Sequence, residues 1–369
     1  MWKGPREGRS SILTILDLRE RNYRLAVLNG WLVWLGDTFL NPNIVLTSFA
    51  AKLGAPGALI GLLPALLQAG GMVPQAFLAP WVARLPRKIV LYRKVAALRL
   101  SGLVLMALSA FLFGQNPSLL LLGFLLGLLL NALFTGVSSL PFWEVVAKTT
   151  PQGRRAHLFS ARNLVGGLLA FLAGFLVRLL LALPLPFPLP YALLFALGAL
   201  SYGVGWYLFG LTEEPEEAPK EARLDLKAPL RRPAFRRYLG VRLLLALAGL
   251  AEPFYAAYAV RALGQGKELG LYLSLYALAF TLSNLLWARM AERGSKGVLK
   301  AGAFLALLAP PEERSAAIGL ANTLAGLFAF SPVLGGYLAD RQGFPALFLL
   351  AAGLYALALY AGRRLPGEA

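Results

Sequence analysis

The chain has 369 residues, of which 58% are hydrophobic and 15% charged, with a formal net charge of +18 and no cysteine. A soluble protein of this length carries nearer a quarter of its residues charged, so a water-soluble globule is excluded. The absence of cysteine excludes a disulfide framework and thiol chemistry, and the single histidine, His157, excludes a multi-histidine metal site.

The N-terminus is polar and basic through Arg24 and shows no short apolar core with a cleavage site, so the first predicted helix is expected to insert uncleaved. Apolar runs predict helices over 25–50, 57–82, 95–113, 118–147, 159–182 and 189–211. Residues 212–237 follow as a charged linker, opening with Glu213-Glu214-Pro215-Glu216-Glu217 and expected to be flexible and cytoplasmic. Further helices are predicted over 238–262, 268–290, 316–338 and 345–362, with a short apolar stub at 298–309. Runs such as 119–134 and 179–211 are too long and too apolar for a soluble core. They are continuous and not alternating, which specifies helices and not barrel strands. The fold class is therefore an all-α polytopic membrane bundle of about ten full crossings plus one stub. Its expected parts are an N-terminal half (1–211), the linker (212–237) and a C-terminal half (238–369).

The charge is unevenly placed. The even-numbered connections and both termini hold 31 of the 36 Lys and Arg, and the opposite side holds Lys52, Arg178, Arg261, Lys267 and Arg341. This positive-inside bias places both termini in the cytoplasm of a plasma (inner) membrane protein. The basic charge therefore sets topology, and no nucleic-acid partner is expected. The expected partners are the lipid bilayer, a small solute and protons, and the chain is expected to act as a monomer.

The second half is short. Sixty-three positions separate the basic turns at Lys88 and Pro151, but fifteen separate Lys296 and Pro311. The deficit is about two crossings at about 20 residues each. Twelve helical residues rise about 18 Å against a core of about 30 Å, so the stub cannot span.

Carboxylates at membrane depth are costly and mark function. Asp37 lies about 18 Å into the first helix, next to Gly36 and before Asn41-Pro42-Asn43, where the helix is expected to break. Burial favours the protonated form of a carboxylate, which suits a carrier of a coupling proton. Glu252 sits at similar depth before Pro253. Asn41, Asn43, Gln68, Gln75 and Asn131 are the polar candidates for solute or coupling, with Gln68 and Gln75 seven apart on one helix face. Helix-to-helix hydrogen bonding is the competing reading. Arg84, Arg87, Lys88, Glu144, Arg154, Arg162, Glu292 and Arg293 are candidates for a cytoplasmic gate, with Glu144 pairing Arg84, Arg87 or Arg154. Arg99 is expected to snorkel. Trp34, Trp143, Tyr255 and Tyr258 are candidate cavity aromatics, suited to an apolar or amphipathic solute. No phosphate loop and no nucleophile–base arrangement stand out, so neither an enzyme nor a bound cofactor is expected.

The halves repeat one another. Thr150-Pro151-Gln152-Gly153-Arg154 followed by Arg162-Asn163 recurs, 160 residues on, as Pro310-Pro311-Glu312-Glu313-Arg314 followed by Asn322. With the central linker, the basic loops and Gly335-Gly336-Tyr337-Leu338-Ala339-Asp340-Arg341, the chain resembles the major facilitator superfamily, and Leu140-Pro141-Phe142-Trp143-Glu144 through Gly167 resembles a prokaryotic subgroup of it. The resemblance implies a substrate-translocating permease working by alternating access. The leading expectation is a proton-coupled secondary transporter, with export as one direction. The loop Ala83-Arg84-Leu85-Pro86-Arg87-Lys88 departs from the family pattern, with Ala83 in place of an acid and Pro86 in place of a glycine. That departure and the shortened second half favour the alternative of a truncated or degenerate relative without transport. Single cysteines placed at Ser295, Ala303, Ala309 and Ser315 should all be labelled from the cytoplasm alone; labelling of any one from outside overturns this topology.

Overall fold

The computed structural model describes residues 6–217, 228–292 and 314–363, and all the regular structure among them is helical. The helices are α1 (Arg6–Phe39), α2 (Thr47–Lys52), α3 (Gly57–Met72), α4 (Gln75–Ala83), α5 (Lys88–Leu112), α6 (Pro117–Thr149), α7 (Gln152–Ala182) and α8 (Leu189–Gly210). After the linker come α9 (Pro233–Ala248), α10 (Glu252–Arg261), α11 (Leu269–Glu292), α12 (Arg314–Phe328), α13 (Ser331–Gln342) and α14 (Phe344–Arg363). Among the described residues six helical segments are long and apolar enough to cross a membrane, and α3 with α4 makes a seventh if that bent pair is one span. The stub at 298–309 lies outside the described residues.

Helix is the only open structure that satisfies every backbone N–H and C=O in lipid. Prolines punctuate it where the physics allows. Pro117, Pro190, Pro233 and Pro253 stand at first-turn positions, where the missing N–H costs nothing. The break after α1 is as expected. The Asn41 side chain accepts hydrogen bonds from the backbone N–H groups of Asn43 (3.1 Å) and Ile44 (3.0 Å), capping a π-helical turn over Pro42–Leu46. In the second half the 3-10 turn Gly249–Ala251 breaks the chain in the same way before Glu252.

The N-terminal helices pack as α5 on α6 and α8, and α1 on α7 and α8. Small residues permit close crossings: a Cβ on Gly102 would fall 2.6 Å from the Gly127 carbonyl oxygen. An aromatic cluster of Phe49, Phe124, Tyr191 and Phe195 fills one end, with Phe49 and Phe124 centroids 4.8 Å apart. Leucines such as Leu179, Leu334 and Leu349 cover the outside, as lipid contact allows.

The linker departs from expectation where it is described. Residues 212–217 are seated against the first half and are not a free tether. Glu214 has a fully buried carboxylate that accepts from Lys148 Nζ and from the Ile89 N–H, each at 2.7 Å. The second bond places negative charge at the N-terminus of α5. Glu217 lies 3.2 Å from Lys148, Glu216 pairs with Arg87 at 3.0 Å, and Glu213 pairs with Arg21 at 2.5 Å. Removing one partner of a buried pair strands the other. Glu214→Leu and Lys148→Met should therefore each destabilise the protein by about 3–5 kcal/mol, and the double variant by less than the sum. Thermal unfolding in detergent reads this cycle; additive losses would remove the buried pair from the account.

Candidate functional site

One polar network runs through the N-terminal half. Asp37 of α1 accepts a hydrogen bond from the Tyr202 hydroxyl of α8. The Asp37 side chain is exposed, so it is not sealed in packing. The positive charges of Arg99 (α5) and Arg162 (α7) act on it. A glycine makes room: a Cβ on Gly36 would lie 2.6 Å from the Tyr202 ring.

Arg99 does not snorkel. The sequence places the helix start late, whereas α5 begins at Lys88, so Arg99 is eleven residues in, about 17 Å from the end. At that depth the guanidinium must find partners inside the bundle. Its Nε donates to Asn131 Oδ1 (3.0 Å), its Nη1 donates to Ser138 Oγ (2.8 Å), and its plane lies 4.2 Å from the Trp206 ring centroid. Arg162 is buried, donates to the Ala26 carbonyl and to Asn29 Oδ1 (3.0 Å), and stacks over Phe142 at 5.1 Å. Asn29 in turn donates to the Gly205 carbonyl at 2.9 Å. Arg162 is thus a core member of the network and not a cytoplasmic gate residue.

A second cluster lies between the halves. Asn43, Gln68 and Glu252 share a cavity of about 380 Å³ with Pro42, Pro64 and Pro332. Glu252 accepts from the Tyr355 hydroxyl at 3.2 Å.

The other candidates separate. Gln75 does not continue the Gln68 face, because the chain bends between α3 and α4. Gln75 Nε2 donates to the Gly71 carbonyl (2.7 Å), and its oxygen accepts from Asn322 (3.2 Å), which accepts from Arg242 (2.7 Å). Trp34 meets Phe280 edge-on at 5.2 Å, across the interior. Trp143 is exposed beside Phe159. Tyr255 and Tyr258 meet Phe344 and Phe348 of α14, and Tyr255 stays more than half exposed at 57%. The expected pairing of Glu144 is replaced: Arg87 pairs with Glu216, and Arg154 with Glu20 at 3.1 Å, while Glu144 and Arg84 are exposed. Arg154 holds the Glu20 carboxyl below the ordinary carboxylate range, so this α1–α7 tether is present above that range and lost as pH falls through the lowered value. Lys88 is buried near Glu217 at 3.8 Å. Arg293 and the Glu292 side chain lie outside the described residues.

At one end the halves are clasped. The Gly57 N–H donates to Asp340 Oδ2 (2.7 Å), Arg261 donates to the Ala55 carbonyl, and Arg178 pairs with Glu268 at 3.1 Å. Here α3 and α13 touch backbone to backbone: a Cβ on Gly336 would fall 2.0 Å from the Gly57 oxygen.

A model of the Major Facilitator Superfamily matches residues 26–309. The chain belongs to that superfamily of membrane transporters. Among solved structures, a mutant of the nucleoside transporter NupG aligns with 94% of this chain and 99% of its own at 13% identity, TM-score 0.68. An auto-inhibited peptide transporter of the POT family aligns with 94% and 98% at 14% identity, TM-score 0.64. The human organic anion transporter MFSD10 aligns with 93% and 99% at 18% identity, TM-score 0.54. These likenesses establish the fold of a multi-pass facilitator. None of the curated proteins matches.

Sequence reasoning missed Tyr202, Asn29, Ser138 and Tyr355. Each is a hydroxyl or amide within an apolar run, with nothing in its neighbours to separate it from packing residues. Arg99→Met leaves Asn131 and Ser138 without their donor and should cost about 1–3 kcal/mol. Combined with Asp37→Asn it should cost less than the sum by at least ~0.5 kcal/mol. Additive losses in thermal unfolding would mean that Arg99 and Asp37 do not share a site.

Proposed function

We propose that this chain is a proton-coupled secondary transporter that moves a small amphipathic solute through the cavity between its halves. The observation that carries the reading is Asp37: an exposed carboxylate within an apolar helix, hydrogen-bonded to the Tyr202 hydroxyl, with the charges of Arg99 and Arg162 acting on it. Such a group can take a proton from one side and release it when the cavity opens to the other. Its protonation changes the charge of a wall that otherwise holds Arg99 and Arg162.

Two guanidinium groups against one carboxylate make the N-terminal wall cationic. The partly exposed Phe142 ring under Arg162 offers an apolar face. This combination favours a solute with an apolar body and an acidic group. Glu252, Asn43 and Gln68 would contact the solute from the other wall.

With both termini cytoplasmic in the inner membrane, the clasp of Gly57, Arg261, Arg178 and Glu268 lies on the outer side, and the cavity faces inward. Alternating access then requires α3 and α13 to part while the halves 1–211 and 238–369 rock about the linker. The reading assigns the chain transport and no catalytic chemistry.

The test is proton flux into proteoliposomes, read with an internal pH dye while a panel of aromatic and aliphatic organic acids is supplied outside. The wild type should couple proton movement to at least one solute, and Asp37→Asn should lose most of that flux while remaining folded. An Asp37→Asn variant with unchanged rate and pH dependence would sink the proton role. Failure of the wild type with every solute would favour a remnant without transport.

A further inference from the structure

The outer face of the N-terminal half carries a groove that the transport reading does not use. It lies between α5 and α8 as two cavities of about 390 and 530 Å³ that share Leu100, Gly203 and Tyr207 and so run into one another. Its floor is made of small residues, including Ala96, Ala97 and Ala199, and its far end reaches Phe111. Apart from the Tyr207 hydroxyl and the indole of Trp206, the lining is apolar until Arg93.

Arg93 closes one end. Its Nε donates to the Gly210 carbonyl at 2.5 Å, which fixes the side chain across the mouth of the groove. The absence of a side chain at 210 allows this: a Cβ there would stand 3.3 Å from Arg93 Cγ. Lys94 is exposed at the next position. From Arg93 to Phe111 the helix advances about 27 Å, close to the ~30 Å hydrocarbon core, so the groove runs along the membrane normal with its cations at headgroup level.

We infer that this groove is a binding site for an anionic phospholipid, with an acyl chain laid between α5 and α8 and the headgroup phosphate on Arg93 and Lys94. Charge complementarity selects the occupant. The cations stand only where a phosphate would be, and the remainder offers apolar contact of acyl-chain length. Basic pockets between membrane helices on the cytoplasmic side recognise anionic headgroups by this means. The choice of leaflet rests on the topology proposed above; the headgroup preference does not.

Native mass spectrometry of the purified full chain, given equal phosphatidylglycerol and phosphatidylcholine, reads the site. The wild type should retain phosphatidylglycerol preferentially. The double variant Arg93→Gln/Lys94→Gln should hold one phosphatidylglycerol fewer, or hold it roughly thirtyfold more weakly, as expected for two cations near the headgroup layer. Ala97→Phe, at an exposed position in the groove, should expel the same lipid with an unchanged melting temperature. Equal retention of the two lipids by the wild type, or retention unaffected by both variants, overturns the proposal. So does a changed oligomeric state in Ala97→Phe without loss of lipid, which would make the groove a contact between copies.

Discussion

A charge inside a bilayer must be solvated by the protein, and the N-terminal half is organised around that requirement. Arg99 and Arg162 are too deep to reach the headgroups, so every nearby polar group is drawn to them: Asn131 and Ser138 from α6, Asn29 and the Ala26 carbonyl from α1. Aromatic faces serve where hydrogen bonds are lacking. Four helices are thereby tied at mid-membrane without a large polar core. The glycines at 30 and 36 follow from the same demand, since each gives its place to a side chain of the network: Arg162 at Gly30, Tyr202 at Gly36.

The contacts between the halves obey a different rule. Between helices in lipid there is little hydrophobic drive, so association depends on close backbone approach and on polar bonds. The Gly57–Gly336 crossing supplies the first, and Asp340 on the α3 N-terminus supplies the second. A helix-end carboxylate of this kind can be exchanged for water at modest cost. The Glu214–Lys148 pair that fastens the linker to its own half is, by contrast, sealed from solvent.

Glu252, Asn43 and Gln68 come together only because two broken helices face one another. The sequence marks each break with proline and places the polar residues next to it. The depth of Asp37 and the break at Asn41 were therefore readable from helical rise and proline chemistry. What Asn41 does there was not: its side chain is spent capping the π-helical turn, because freed N–H groups in a membrane are costly and it is the nearest acceptor.

The sequence alone determined the class: apolar runs of membrane length and a one-sided basic charge specify a helical membrane bundle, and the repeated half with its loops carries the resemblance to the superfamily. It also picked out Asp37 and Glu252, since acids within apolar runs are visible one residue at a time. The tertiary structure decided the partners. The depth of Arg99 is not legible in the chain, because the Ile89 N–H in the first turn of α5 is met by Glu214 from 125 residues away. Tyr202 looks like any packing residue in the sequence, because its meaning lies in meeting Asp37 across 165 residues. Aromatic content fixes no helix rotation; the ring contacts of Tyr255 and Tyr258 with Phe344 and Phe348 do. Local chemistry is written along the chain, whereas the satisfaction of a buried charge is settled between helices.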